Sequence, residues 1–323
     1  MQVCRRMAMP TLAGAVPNEP ADGDYSDRRR HRRATIIIIT PWVIGLGLFG
    51  CVVLSLGVAG IVRAESFTSF DPPGSHTTFV TAINPAGQIV GNYFDASGRH
   101  GFLRNPDGTI VSFDAVAVDI NPAGQIAGYS SAGHGVLRAP NGSLVTFDVP
   151  GAVHGTFASA INPRGQIAGY YQDHLFAIHG FLRNPDGTIV TFDGPGAGFL
   201  TFATAISPAG HIAGSSVDGA GVEQGFVRNP DGAIVSFEPP GAIITLVSAM
   251  NPAGHIAGSY VDGVGVEHGF VRNRDGTIVT FDPPGSLITL VSAMNPAGQI
   301  VESGDQTVQF FCHIRFNLIH FPE

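Results

Sequence analysis

The 323-residue sequence contains no Lys, only three Cys and a single Trp. All seventeen basic residues are Arg, and residues 1–64 hold eight of them against four acids, whereas residues 65–323 hold nine against twenty-one acids. The acidic second part argues against a nucleic-acid partner, because binding phosphates requires clustered positive charge. Cys312 is the only cysteine of the second part, so that part has no internal disulfide.

The sequence also lacks the common catalytic motifs. There is no Gly-x-Ser-x-Gly nucleophile elbow, no His-Glu-x-x-His zinc motif and no phosphate-binding loop. We therefore favour a non-catalytic protein over an enzyme and predict no cofactor. An extracytoplasmic hydrolase or lyase is the alternative, and its active site would lie where the repeats described below differ from one another.

The N-terminal part has the pattern of a membrane-targeting segment. Residues 1–33 end in a block of five Arg and are predicted to be a disordered basic cytoplasmic tail, while residues 34–64 form a hydrophobic signal peptide or transmembrane anchor. The 22 uncharged residues 41–62 exceed the roughly 20 that a membrane-spanning helix needs. A small-x-small sequence ending at Ala64 is equally typical of signal-peptidase cleavage. Both alternatives predict that residues 65–323 are exported, either membrane-anchored or secreted.

Residues 65–323 consist of repeats of about 44 residues. A turn opens each unit, and it recurs with spacings of 37, 41, 45, 44 and 44 at Asn84, Asn121, Asn162, Ser207, Asn251 and Asn295. A second marker follows in the first five units at His100, His134, His179, Gln224 and His268; it reads His-Gly-Phe, with Val in place of Phe in the second unit and Gln in place of His in the fourth. Two markers in a fixed order at one period establish the repetition.

Each unit is predicted to contain four short strands. In the third unit they are 156–161, 166–171, 179–183 and 188–193, which are rich in β-branched and aromatic residues and bounded by Gly and Pro. Asn-Pro-x-Gly turns connect them, with Pro presetting a type I turn and Gly accepting a left-handed conformation. The predicted fold is all-β, a β-propeller of about six four-stranded blades with a degenerate sixth, preceded by one N-terminal hydrophobic helix. A linear β-solenoid is the alternative.

The motif order Ile-Asn-Pro-x-Gly-x-Ile-x-Gly, His-Gly-Phe-Leu-Arg, Asp-Gly-x-Ile-Val resembles the bacterial extracellular repeats called the HAF family over residues 66–301. The resemblance implies an exported, propeller-like array. It implies no agreed activity and supplies no catalytic residues.

Repeated polar residues have structural and functional interpretations. The four His would lie on a circle in a closed ring and could meet a metal at its axis, but we favour one turn or interblade hydrogen bond per unit. For the Arg that follows each His-Gly-Phe and the acid that ends each fourth strand, we expect an ion pair or a turn cap. The sequence therefore predicts no metal site.

The loop between the second and third strands differs most among units, which makes it the predicted binding face. Unit three carries four candidate ligand-binding residues there, Tyr170, Tyr171, His174 and Phe176. Exposed aromatic rings suit a sugar ring or a protein surface, although Phe176 and one Tyr alternatively pack beneath the loop. We thus predict an extracytoplasmic binding module for an unknown glycan or protein, with residues 41–62 contacting the membrane if they are not cleaved.

Overall fold

The computed structural model describes residues 34–37 and 67–304, and these form strands, turns and connecting segments without a helix. The strands are β1 Ala34–Ile37, β2 Phe67–Phe70, β3 Thr77–Ile83, β4 Ile89–Asp95, β5 Gly98–Arg104, β6 Ile110–Phe113, β7 Val116–Ile120, β8 Ile126–Tyr129, β9 Gly135–Arg138, β10 Leu144–Phe147, β11 Gly155–Ile161, β12 Ile167–Gln172, β13 Ile178–Arg183, β14 Ile189–Phe192, β15 Ala197–Ile206, β16 Ile212–Asp218, β17 Glu223–Arg228, β18 Ile234–Phe237, β19 Ala242–Met250, β20 Ile256–Asp262, β21 Glu267–Arg272, β22 Ile278–Phe281, β23 Thr289–Met294 and β24 Ile300–Gly304. The all-β prediction is confirmed for this part of the chain.

Five successive groups of four antiparallel strands form blades 1 to 5, namely β3–β6, β7–β10, β11–β14, β15–β18 and β19–β22. The strands β23 and β24 pair as the first two strands of a sixth unit. Residues 305–323, which the repeat pattern expects to complete that unit, lie outside the described residues. Five complete four-stranded units are therefore observed, and closure into six blades stays a prediction.

Antiparallel order gives the array two distinct ends. The Asn-Pro turns after the first and third strands lie at one end, called the turn end. The loops between the second and third strands lie at the other, called the loop end, together with the links between blades. This arrangement separates the conserved turn chemistry of each unit from its most variable loop.

Asn at the opening turn both closes its own turn and fastens adjacent blades. The Oδ1 atom of Asn121 accepts the backbone N–H groups of Ala123 and Gln125 at 3.1 and 3.0 Å, as the turn prediction requires. Its Nδ2 atom donates to the carbonyl of Asn162 in the next blade at 3.2 Å. Gly124, at the fourth turn position, has a φ of 78°, the left-handed conformation that glycine adopts without strain.

The third strand of each blade packs an Arg against the preceding blade, together with a Phe in every blade except blade 2, which has Val136. In blade 3, Phe181 is fully buried and lies edge-on to Phe147 of blade 2, with ring centroids 6.0 Å apart. The Arg183 guanidinium lies 4.9 Å from the centre of the same Phe147 ring. The two Phe rings bury apolar area at the blade boundary. The Arg guanidinium adds a cation–π attraction to one of the rings.

The strand β2 takes the place of a fourth strand before blade 1. Phe70 packs edge-on against Phe102 at 5.8 Å and lies 4.9 Å from the Arg104 guanidinium, as the last Phe of a blade does elsewhere. The strand β2 pairs with β1, Ala34–Ile37, and β1 belongs to the predicted targeting segment. The rest of that segment, and the predicted tail, lie outside the described residues. None of the described residues forms a helix that could span a lipid bilayer.

Candidate functional site

The repeated His residues serve their own blades instead of meeting at the axis. The Nδ1 atom of His268 lies 2.8 Å from Asp282 at the end of the fourth strand, and its Nε2 atom lies 3.3 Å from Asp262 in the loop. The hydrogen bond with Asp282 is the main reason that the pKa of His268 is raised. His179 bonds in the same way to Asp193, at 2.7 Å. Within the described residues, no group of three or more His, Cys, Asp or Glu side chains is placed to hold a metal ion.

The repeated Arg residues do not pair with the acids that end the fourth strands, so the ion-pair alternative was wrong. In blades 2, 3 and 5 those acids pair with His instead, as Asp148 does with His134 at 2.9 Å. Arg138 donates from Nη1 to the carbonyl of Ala139 at 3.4 Å, which is a turn cap, and stacks over Phe113. A planar guanidinium gains more from an aromatic face and a turn carbonyl than from an exposed carboxylate.

The loop of blade 3 contains the one non-glycine residue with a positive φ among those described. Phe176 has a φ of 63°, whereas blades 4 and 5 have Gly221 and Gly265 at the same turn position, with φ values of 85° and 87°. A bulky residue in this region is strained by about 1–2 kcal/mol. The ring is 62% exposed and stacks on His154, with centroids 4.0 Å apart and planes 10° apart. A strained and exposed aromatic residue is a typical feature of a binding site.

Tyr170 belongs to a row of aromatic rings that crosses blades 2 to 4 at the loop end. It stacks on Phe157 at 5.3 Å and meets Phe202 edge-on at 5.2 Å. Tyr129 continues the row, edge-on to Phe157 at 5.2 Å. Burial, and secondarily the neighbouring Tyr129, raise the pKa of Tyr170. Tyr170 stands where blade 4 has the smaller Ser215, whose hydroxyl group forms hydrogen bonds with the backbone of blade 5.

A cleft of about 380 Å³ opens beside this row. We call it the loop-end cleft, and its lining includes Arg99, Tyr129, His154, Phe157 and the segment 130–133. Arg99 is exposed and reaches from blade 1 to within 3.5 Å of the Tyr129 hydroxyl. The cleft therefore combines aromatic faces with a guanidinium, a hydroxyl and an imidazole, which is the mixture of apolar wall and few polar groups found in small-molecule sites.

The four sequence-predicted ligand residues occupy different environments. Tyr170 stacks on Phe157, and Phe176 stacks on His154. Phe157 and His154 line the cleft, whereas Tyr170 and Phe176 do not. Tyr171 is buried in the core of blade 3 and stacks on His179 at 5.1 Å. His174 is 70% exposed in the loop, 4.0 Å from Asp173.

The predicted binding face, the loop between the second and third strands, included Arg99 and Tyr129, although neither was among the four candidate ligand residues. His154 and Phe157, which also line the cleft, were not predicted. Tyr129 is marked by its departure from the repeat, since it stands where blades 4 and 5 have Ser215 and Ser259, whereas Phe157 follows the repeat, as Phe79 and Phe202 do.

A half-buried acid was also missed by the sequence reasoning. Asp119 in the first strand of blade 2 stands where every other unit has Ala, namely Ala82, Ala160, Ala205, Ala249 and Ala293. Its Oδ1 atom accepts the N–H of Ile120 at 2.8 Å, and its Oδ2 atom accepts the N–H of Ile161 in blade 3 at 2.9 Å. The residue is half-buried, and desolvation of its carboxyl group raises the pKa to about 6. It joins two blades without forming an ion pair in the part of the chain that the structure describes.

No protein-family model matches this chain, and no curated protein sequence matches it. Among solved structures it is similar to a streptogramin B lyase, with 11% identity, a TM-score of 0.51 and coverage of 75% of this chain and 81% of the lyase. It is also similar to a prolyl endopeptidase, with 14% identity, a TM-score of 0.54 and coverage of 74% of this chain and 41% of that one. Both are propeller enzymes. At these identities the likeness shows the fold alone, and the β-propeller prediction is confirmed.

Proposed function

We propose that residues 65–323 form a non-catalytic extracytoplasmic binding module whose loop-end cleft takes a carbohydrate. The observation that carries the proposal is Phe176, an exposed aromatic ring held in a left-handed conformation where two sister blades have glycine. The stack on His154 alone does not explain why Phe stands here, because glycine adopts this backbone conformation without strain. The extracytoplasmic location rests on the Arg block and the apolar run that precede the repeats.

The chemistry of the cleft favours a sugar ring. Pyranose C–H faces pack on aromatic rings, and the Tyr129 and Phe157 rings present such faces beside Arg99, whose five N–H donors bond hydroxyl oxygens. A volume of about 380 Å³ lies in the range of small-molecule sites. A flat protein partner would require a wider surface than this cleft provides.

The test compares wild-type protein with Phe176→Gly on a glycan array, followed by calorimetry with the glycans retained. Relief of strain by about 1–2 kcal/mol and loss of a ring stack of about 0.5–1.5 kcal/mol nearly offset one another, so the melting temperature should change little. Affinity should fall by about tenfold or more, because one stacking ring is worth about 1.4 kcal/mol in such a contact.

Val264→Gly is the matched control, since Val264 is 84% exposed in the corresponding loop of blade 5 and should leave binding unchanged. Retention of no glycan, with capture of a protein partner that Phe176→Gly abolishes, would replace carbohydrate by a protein ligand. Equal glycan affinity in wild type and Phe176→Gly would contradict a binding role for Phe176, and with it the proposal that this ring carries. Chemical conversion of a retained glycan would contradict a non-catalytic module.

A further inference from the structure

A second departure from the repeat lies at the turn end, between blades 4 and 5. In blades 1 to 3 the residue after each opening turn is Gln, and its Oε1 atom lies against the turn glycine of the next blade. The atom is 3.1–3.2 Å from the point where a Cβ would stand on that glycine, for the pairs Gln88 and Gly124, Gln125 and Gly165, and Gln166 and Gly210.

Blade 4 has His211 at this position. The three atoms nearest to the same point on Gly254 all belong to Arg274 of blade 5, at 3.6–3.8 Å. None of these three atoms belongs to His211, whereas the Gln of blades 1 to 3 is the nearest contact at each of the three preceding boundaries. A cleft of about 310 Å³ occupies this boundary, and we call it the turn-end cleft.

The turn-end cleft is cationic in an otherwise acidic domain. Its lining includes His211, Arg272 and Arg274, and none of the lining residues is an Asp or Glu. Arg274 itself departs from the repeat, because the other units have Pro at this turn position, as at Pro185 and Pro230. Val227, Val235 and Met250 supply apolar walls. Positive charge and apolar surface thus meet at one blade boundary.

Hydrogen bonds orient the His211 ring and leave its outer nitrogen available. The Ser207 hydroxyl oxygen accepts the backbone N–H of His211 at 3.1 Å and lies 3.4 Å from its Nδ1 atom. In the tautomer in which this hydroxyl donates to Nδ1, the neutral ring carries its proton on Nε2. Within the described residues, neither Nε2 nor the exposed Arg274 guanidinium makes a hydrogen bond or ion pair. Arg272 is already fixed, stacked over Phe237 at 5.1 Å and bonded to the Asn273 carbonyl at 3.2 Å.

A neighbouring cleft of about 580 Å³ between blade 5 and the sixth unit shares Arg274 and presents His255. Asp275 lies in its lining, which makes that boundary less suited to an anion. The boundary between blades 4 and 5 is therefore the better site for a negatively charged group.

We propose that the turn-end cleft binds an oxyanion, in the form of a carboxylate, phosphate or sulfate group on a small organic molecule. Arg274 supplies a planar pair of donors, His211 supplies an Nε2–H donor, and the valine and methionine walls cover the organic part. Charge-assisted hydrogen bonds of this kind are about twice as strong as neutral ones, and the Arg fork matches oxyanion geometry. The site lies at the opposite end of the array from the loop-end cleft and does not depend on the proposed carbohydrate ligand.

The experiment is calorimetric titration of the full chain at low ionic strength with inorganic phosphate, sulfate and glucuronate, and with neutral glucose as a fourth probe. The tested variant is the double substitution His211→Gln with Arg274→Pro. It gives the boundary between blades 4 and 5 the Gln and Pro that the preceding boundaries have at these positions. Its fold should be retained, as circular dichroism will check. We expect the wild type to bind at least one of the three anions and not glucose, and the double variant to bind that anion at least about tenfold more weakly.

The three anion probes distinguish phosphate, sulfate and carboxylate sources of the same chemistry. Arg164→Gln is the control, since Arg164 is an exposed Arg at the same end on the boundary of blades 3 and 4, and its loss should change affinity by less than about twofold. Absence of binding by all three anions to the wild type would overturn the proposal. So would equal affinity in the double variant, or an equal loss in Arg164→Gln, which would mean that charge alone attracts the anion.

Discussion

The contribution of Asp119 to stability is the most direct test of how desolvation of a charged group acts in this fold. Asp119 is half-buried between blades 2 and 3, and desolvation of its carboxyl group raises the pKa from 3.8 to about 6, although two backbone N–H groups donate to it. The difference between these two pKa values corresponds to about 3 kcal/mol at 25 °C. This is an upper value, because solvent entry and relaxation reduce the penalty for a buried charge.

The sign of the pH dependence follows from the direction of this shift. The unfolded chain loses the Asp119 proton near pH 3.8, whereas the folded chain keeps it to about pH 6. The native state therefore loses stability as the pH rises through this window, and the loss persists above it. Asp119→Asn removes the charge and keeps the size, so it should be more stable than wild type by up to about 3 kcal/mol at pH 8 and by little at pH 4. For a domain of this size the gain at pH 8 corresponds to about 6–12 °C in melting temperature.

The assay is thermal unfolding by circular dichroism between pH 4 and pH 8 at constant ionic strength. Asp119→Ala, the residue found in the other units, is the second variant; it loses both acceptors and should gain less, with the same dependence on pH. A gain in Asp119→Asn that is equal at pH 4 and pH 8 would show that charge is not the cause. A less stable Asp119→Asn at pH 8 would show that the two N–H bonds outweigh the desolvation of the carboxylate.

Three further predictions concern the scaffold and the location. Phe70→Ala should lower the free energy of unfolding by about 2–4 kcal/mol, measured by chemical denaturation, and a loss below about 0.5 kcal/mol would show that β2 does not support blade 1. His268→Gln should cost less than about 1 kcal/mol; the cost should be greatest below the raised pKa of His268, where the imidazolium pairs with Asp282, and should shrink as pH rises. Unfolding at pH 5 and pH 9 checks this, and a cost that grows with pH would contradict it. N-terminal sequencing should find either a chain beginning after Ala64 or a membrane-bound full-length chain, and a soluble cytoplasmic protein that retains Met1 would contradict both.

The repeat made most of the fold predictable from sequence. In the third unit the predicted strands 156–161, 166–171, 179–183 and 188–193 correspond to the observed β11 to β14 within two residues at each end. The reason is physical: Asn, Pro and Gly occupy fixed turn positions whose backbone requirements few other residues meet. The repeat period did not predict the side-chain contacts between units. Arg183, for example, contacts Phe147 of the preceding blade, 36 residues earlier in the chain, and the period does not show which residues of neighbouring units meet.

The candidate site was only partly predictable, for a reason that concerns strand geometry. Tyr170 and Tyr171 are consecutive in β12, and consecutive side chains of a strand point to opposite faces. One of the two must therefore face a different neighbour from the other, and sequence alone does not say which one. The structure places Tyr171 in the core with His179 and Tyr170 in the aromatic row with Phe157. Binding by the four predicted residues stays a prediction, and Phe176 is the one that the geometry favours most.

Repetition itself indicates where function is to be sought. A residue that recurs from unit to unit mostly meets the same partners, as the Arg and Phe stacks of all five blades and the His and Asp pairs of blades 2, 3 and 5 show, and those partners take up much of its chemistry. A residue that departs from the repeat enters an environment built for another side chain, so part of its chemistry is left without a partner. Phe176 is strained and exposed, and Asp119 is half-buried without an ion pair among the described residues. Within the same residues the Arg274 guanidinium makes no hydrogen bond or ion pair. Because these departures lie at different places on one scaffold, replacing each by its repeat counterpart separates ligand binding from stability one site at a time.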